Sequence, residues 1–290
     1  MDVTADALRA HVERLAGEIG ERNVFCPASL AAAKTYIEET WWAQGYDVTA
    51  QRYQISGVEC ANLEVARSGT ASSDVLLIGA HYDSVQGCPG ANDNGSGVAA
   101  MLELTRLFAR LEPVLTVRFV AFVNEEPPFF ATEEQGSLVY AKAAHARGDR
   151  IRLMVALETI GYYRDTPGSQ RYPPLFGLFY PDRGNFLGFV ADLRSRGAMH
   201  HLARLFRAGS DFPLEHVATF RAVPGVSWSD HWSFWRMGYR AFMVTDTAPF
   251  RYPYYHSAAD TPDKVCYPEL TRVTEGLCRA FADYALSPRD

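Results

Sequence analysis

The stretch from Ile78 to Gly97, IGAHYDSVQGCPGANDNGSG, decides the fold class. It carries an apolar run, Val75-Leu76-Leu77-Ile78, directly into His81, Asp83 and Asp93, with glycines spaced through the intervening loop. A wholly apolar strand belongs inside a largely parallel sheet covered on both faces, and the ends of such strands are where an open α/β sheet carries its chemistry. Asp93 stands in Ala91-Asn92-Asp93-Asn94-Gly95-Ser96-Gly97, just before the helical pattern Val98-Ala99-Ala100-Met101-Leu102. A short carboxylate held at that junction offers two oxygens, one to each of two cations. The competing reading is a turn in which Asp93 caps the helix.

Outward from this stretch the pattern alternates. Strands are expected at 46–55 and 58–67, joined as a hairpin through Ser56-Gly57, and at 75–80, 115–123, 153–158, 174–180, 214–220 and 240–244. Helices are expected at 5–19, 28–44, 95–110, 136–147, 194–208 and 269–286. Alternating strands and helices with apolar strands predict an α/β fold, a three-layer sandwich with a mostly parallel, mixed central sheet. The 290 residues lie near the upper limit for one core. No repeat, low-complexity tract or flexible linker divides them, so a single domain over 1–290 is expected.

Composition narrows the function classes. With 48% apolar and 21% charged residues the chain is an ordinary globular protein. A formal charge of −6 argues against a nucleic-acid partner, which calls for a basic patch. No apolar run approaches the ~20 residues of a membrane span. The N-terminal MDVTADALRAHVERLAGEIGERN has an amphipathic helical pattern without a basic head, apolar stretch or small-residue cleavage site. It is no signal peptide, so a cytoplasmic protein is expected, or a secreted one if the start has been trimmed. Oligomeric state is not legible. Five cysteines without a CxxC exclude a thiolate zinc finger and a disulfide scaffold; one bridging pair remains open. Cys88, between the candidate ligands, is either a thiol at the site edge or a small loop residue.

Acids and imidazoles recur where apolar strands end. The strand at 115–123 runs into Asn124-Glu125-Glu126-Pro127-Pro128, that at 153–157 into Glu158, and Tyr254-Tyr255-His256 precedes Ser257-Ala258-Ala259-Asp260. Any one of these alone reads as solvent-facing; together they form a donor set. Two divalent ions about 3.5–4 Å apart need a bridging carboxylate and further ligands on each side. Asp93 suits the bridge, His81 and Glu158 one side, Glu126 and His256 the other. Mixed imidazole and carboxylate ligation fits zinc, with cobalt or manganese as substitutes. Asp83 is placed to orient the His81 ring, and Glu125 is then free as a general base.

The order HYDSV, GANDNGSGVA, a strand ending in Glu-Glu, LETIG and YYHSAADTPDKV resembles the two-zinc aminopeptidases of peptidase family 28, over about residues 75–265. The resemblance implies hydrolysis of N-terminal peptide bonds, with a peptide or small amide substrate. Two Zn2+ are implied at His81, Asp93, Glu126, Glu158 and His256, with Glu125 as base and Asp83 orienting His81. Tyr255 matches a tyrosine that hydrogen-bonds the oxyanion in some relatives; packing within a tyrosine-rich loop is the alternative. Many relatives carry Asp where Glu158 stands. Pro127-Pro128-Phe129-Phe130-Ala131-Thr132 follows the Glu-Glu pair, which is expected to form a loop over the cleft and leaves Glu133 and Glu134 as a rival pair. Glu125 and Glu126 are preferred because they end the apolar strand directly. Ser229-Asp230-His231 resembles a loop lining the cleft, with Asp230 supporting a ligand or substrate amine. Trp228, Trp232, Phe234 and Trp235 are candidates for an apolar pocket wall or for core, and His200 and His201 are expected on the surface. Rival functions are a single-zinc glutaminyl cyclase on the same fold and a non-peptide amidohydrolase. The latter calls for an arginine anchor that the sequence does not reveal.

Overall fold

Burial along each strand follows its composition. The runs 75–81, 151–158 and 241–245 are almost wholly inaccessible, whereas Thr49–Ile55 and Leu214–Thr219 are half-exposed. The first group must be central and the second at the edges. The computed structural model describes residues 2–287; Met1 and 288–290, which belong to the expected 1–290 domain, lie outside the described residues. In chain order the elements are α1 (Ala5–Val12), continued by a π-type turn to Ile19, α2 (Pro27–Ala43), β1 (Thr49–Ile55), β2 (Val58–Arg67), β3 (Ser72–His81), α3 (Gly97–Phe108), β4 (Leu115–Phe122), α4 (Gly136–Arg147), β5 (Ile151–Glu158), β6 (Leu187–Asp192), α5 (Arg196–Gly209), β7 (Leu214–Thr219), α6 (His231–Arg236), β8 (Ala241–Thr245), α7 (Ala248–Arg251) and α8 (Tyr267–Leu286).

The eight strands form one mixed sheet in the order β1-β2-β4-β3-β5-β8-β6-β7. β4, β3, β5 and β8 run parallel at its centre. The β1–β2 hairpin pairs antiparallel with β4, and β6 pairs antiparallel with β8, carrying a parallel β7. All four central strands therefore end at the same edge of the sheet. Leu76, Ile78, Val117 and Phe119 pack with residues of α1, α2, α3, α5 and α8 on one face; Leu77, Val120, Phe122 and Met154 pack with α4 and α6 on the other. This is the expected single-domain, three-layer arrangement.

One expected element is absent. Residues 174–180 do not form a strand: Pro173-Pro174 and the positive φ of Leu175 (76°) break the extension, and the segment closes into a 3-10 turn at Phe176–Leu178. The strand lies instead at β6, where the sequence reading placed none. The short helices α6 and α7 were likewise unassigned. None of the five cysteines forms a disulfide among the described residues.

Candidate metal centre

Parallel pairing sets His81, at the end of β3, beside Phe122 at the end of β4, and the polar residues that follow β4 and β5 emerge around it. His81 Nε2 lies 3.3 Å from Asp93 Oδ1, 3.3 Å from Glu158 Oε2 and 4.0 Å from Glu125 Oε2. His256 Nε2 lies 3.1 Å from Asp93 Oδ2 and 3.3 Å from Glu126 Oε2. The Asp93 carboxylate thus stands between two imidazoles and shows one oxygen to each. All seven candidates from the strand ends, His81, Asp83, Asp93, Glu125, Glu126, Glu158 and His256, converge on one locus. Glu133 does not: it is exposed and pairs with Lys142 and Arg236.

The scaffold around these groups is dense. The Asp83 carboxylate accepts the Glu125 and Glu126 amides, each at 3.1 Å. His81 Nδ1 faces the Asp83 backbone carbonyl at 3.2 Å, with the Asp83 carboxylate at 3.6 Å. The ring nitrogen thus lies nearer the Asp83 carbonyl than the expected partner, its carboxylate. Ser229 donates to Glu158 Oε2 at 2.8 Å. Asp260 accepts the amides of Asn92 and Asp93 and the Tyr252 hydroxyl, and the Asn92 side-chain amide bonds Asp246 at 2.9 Å. Arg22, fully buried, donates to the carbonyls of Tyr82, Pro89 and Gly90 and ties down the loop between His81 and Asp93. Sequence reasoning missed Arg22, Asn92 and Asp246. Asp246 directly follows the apolar β8, so the strand-end rule applied to the others would have found it.

Charge is badly unbalanced here. Asp83, Asp93, Glu125, Glu126, Glu158 and Asp230 are all buried, against His81 and His256. Like charges about 4 Å apart repel by about 4 kcal/mol at an effective dielectric of 20. Burial, and then Asp93, push Glu126 up to about 7; burial raises Glu125 and Glu158 as well. Burial opposes charge on the imidazoles too. The surrounding carboxylates prevail, taking His256 up to about 10 and His81 well above its ordinary value. Asp93 moves the other way: despite burial, the two imidazoles hold it below the carboxylate range.

The donors fit divalent cations. Ligand atoms of His81, Asp93 and Glu126 lie within 4.8 Å of one another. His81 Nε2, Asp93 Oδ1 and Glu126 Oε1 are buried without a hydrogen-bond partner among the described residues, whereas buried polar groups are normally satisfied. Oxygen and imidazole donors in this mixture suit zinc.

Other expectations resolve differently. Tyr255 stacks on His256 with ring centroids 3.8 Å apart and lines the adjoining cavity. His231 turns away, bonding the Val226 carbonyl at 2.8 Å. Asp230 is buried beside the site with neither oxygen hydrogen-bonded among the described residues. Phe234 and Trp235 are core, Trp228 lines the cavity, and Trp232 packs on Phe130. Pro127–Phe130 is not part of that cavity's lining; it folds back directly after Glu126, the Phe129 amide donating to the Glu126 carbonyl at 3.0 Å. His200 and His201 are half-buried rather than on the open surface, packed on His216 and Tyr284. The cavity itself, about 820 Å³ of space open to solvent, begins at Glu158 and Tyr255 and runs over β8, β6 and β7.

The chain is similar to known proteins along most of its length. The model of Peptidase family M28 matches residues 62–281. YfbL, an uncharacterised protein of Escherichia coli (strain K12), is 38% identical over 258 residues, covering 86% of this chain and 79% of that protein. Among solved structures, BSAP, a zinc aminopeptidase from Bacillus subtilis, superposes with a TM-score of 0.77 at 15% identity over 99% of this chain and 96% of its own. The glutaminyl cyclase of Fimbriiglobus ruber does so with 0.74 at 19% identity over 97% and 96%. At such identities these two likenesses speak for the fold alone.

Proposed function

This chain belongs to peptidase family M28, and on that premise we propose that it is a two-zinc aminopeptidase releasing N-terminal residues from peptides. One observation carries the reading: the two oxygens of Asp93 face His81 and His256 at 3.3 and 3.1 Å. His81 and Glu158 then complete one metal position, Glu126 and His256 the other, with cobalt or manganese as substitutes. When bound, the zinc ions supply Lewis acidity, polarising a carbonyl and lowering the pKa of water toward 7.

The remaining steps belong to side chains. Glu125, buried beside His81 and fixed by the hydrogen bond its backbone N–H donates to the Asp83 carboxylate, takes a proton from the attacking water as the new C–O bond forms. It returns that proton to the nitrogen as the C–N bond breaks. The Tyr255 hydroxyl, on the cavity side of His256, is the donor for the oxyanion. Asp83 keeps His81, Glu125 and Glu126 in register. The adjoining cavity receives the side chain of the residue removed.

The test is metal analysis with a panel of aminoacyl-nitroanilides, with and without chelator. Two metal ions per chain and hydrolysis abolished by chelator are expected. Glu125→Gln should lower kcat by about 10²–10⁴-fold with metal content unchanged; loss of metal would mean that base and ligand have been exchanged. The second reading, a glutaminyl cyclase, is favoured by the shared architecture and disfavoured by His81 and Glu158 standing together in the site. One metal per chain with pyroglutamate formed from N-terminal glutamine would establish it.

A further inference from the structure

The floor of the cavity is set by strand register. Glu158 of β5 pairs with Thr245 of β8, Thr245 with Gly188 of β6, and Gly188 with Glu215 of β7. Cross-strand partners project from the same face, so these four residues form one row, and all four line the cavity. Neighbouring strands lie about 4.8 Å apart, which puts Glu158 and Glu215 roughly 14 Å apart across the row. Gly188, at its middle, has no side chain, and a Cβ there would come within 3.3 Å of Thr245 O and Thr247 Cγ2. A trough therefore runs from the metal centre to a single distant carboxylate.

That carboxylate is unusual in its surroundings. Glu215 is half-buried, and among the described residues it has neither hydrogen-bond nor ion-pair partner. Burial raises its pKa, with Arg207 opposing. No lysine or arginine is among the described residues lining the cavity. Three rings cover the same region: Tyr172 and Tyr180 have centroids 5.8 Å apart, and Phe176 stacks on Tyr180 at 6.2 Å. Both phenols are already committed, Tyr172 to the Pro181 carbonyl at 2.5 Å and Tyr180 to the His216 carbonyl at 3.1 Å. A carboxylate in a cavity lined by aromatic rings is a receptor for a cation.

We propose that this trough selects a basic N-terminal residue, lysine or arginine, whose charged end pairs with Glu215 beneath the rings of Tyr172, Phe176 and Tyr180. Contacts of about 3 Å at each end of the row leave roughly 8 Å for the substrate, a span suited to a long cationic stem. A short apolar side chain leaves Glu215 unpaired, and an acidic one meets like charge. The inference rests on the peptidase reading and names its substrate class.

Its test compares kcat/KM for lysyl-, arginyl- and leucyl-nitroanilide in the wild type, Glu215→Gln and Glu215→Lys. The wild type should prefer the basic substrates to leucyl by at least about tenfold. Glu215→Gln should cut the lysyl-to-leucyl ratio by about 10–100-fold, mostly through KM, as loss of a charged hydrogen bond does. Glu215→Lys should favour glutamyl- over lysyl-nitroanilide. A ratio unmoved within twofold in both variants, or a wild type preferring leucyl, overturns the inference. Should the Glu215 variants not fold, Tyr172→Leu replaces them, with a fall of about 3–10-fold upholding the cage and an unchanged ratio refuting it. If the wild type cleaves no aminoacyl-nitroanilide, the peptidase reading itself has failed. Calorimetric titration with arginine amide and leucine amide then decides the trough alone: tenfold tighter arginine amide upholds it, equal affinity overturns it.

Discussion

The two imidazoles of the centre are held in unlike ways. His81 ends a central strand, is wholly buried, and has its second ring nitrogen 3.2 Å from a backbone carbonyl. His256 sits in a loop at φ 53°, its side chain 31% exposed and its ring stacked on Tyr255. One half of the centre is built into the sheet; the other is laid over it from a loop. The difference teaches that a symmetric list of candidate ligands is not a symmetric site: His81 is tied into the sheet, His256 into a loop over it.

The largest expected effect tests this directly. His81→Ala strips the buried Glu158 and Asp93 of their shared partner and should cost about 3–5 kcal/mol of stability, whereas His256→Ala, which takes a partner from the buried Asp93 and Glu126 but lies 31% exposed, should cost measurably less. Denaturant melts of the two metal-free variants measure it, and equal losses would break the comparison. Next, Asp83→Ala removes the acceptor of the Glu125 and Glu126 amides and should weaken metal affinity by about 10–100-fold. Competition with a chromogenic chelator reads this, and the loss should fall on both halves because Asp83 touches both.

Acidity offers a third handle. Glu126, Asp230 and Asp246 rise to about 7 from ordinary values of 4.5, 3.8 and 3.8, burial being the first cause of each. His256 rises to about 10 from 6.5 as its carboxylate neighbours overcome burial. Each of these groups holds its proton more tightly folded than unfolded, so stability falls as pH climbs through the interval between the two values. The metal-free Tm should therefore drop by several degrees between pH 5 and pH 9. Zinc, replacing those protons, should flatten the curve, and a metal-free Tm rising over that range would refute the assignment. The smallest effect is expected from Ser229→Ala, which removes the hydroxyl bonded to Glu158 and should cost about 1 kcal/mol, read as a modest loss of metal affinity on the His81 side.

The sheet-held half was the more legible in sequence. Val75–Ile78 and Met154–Leu157 are apolar on both faces and end in His81 and Glu158, so position along the strand already announces where those side chains emerge. Asp93, Glu126 and His256 were readable by the same rule and by the loop chemistry around them. What stayed hidden depends on contacts between distant segments. Arg22 looks like a surface cation in an amphipathic stretch, yet it is buried among loop carbonyls. Asn92 finds Asp246 across 154 positions, a pairing no local pattern encodes. β6 was lost because Gly184-Asn185 and Pro181 make its approach look like a continuing loop, while 174–180 carries the aromatic content of a strand and spends it on a cavity wall.

The bonds from the Asn92 and Asp93 amides to Asp260 cross most of the polypeptide. The segment bearing Asp93 is made first; Asp246 and Asp260, which finish its surroundings, follow Asn92 by 154 and 168 positions, with His256 between them. A chain that stops before residue 246 thus carries four of the five candidate ligands and lacks His256, together with Asp246 and Asp260.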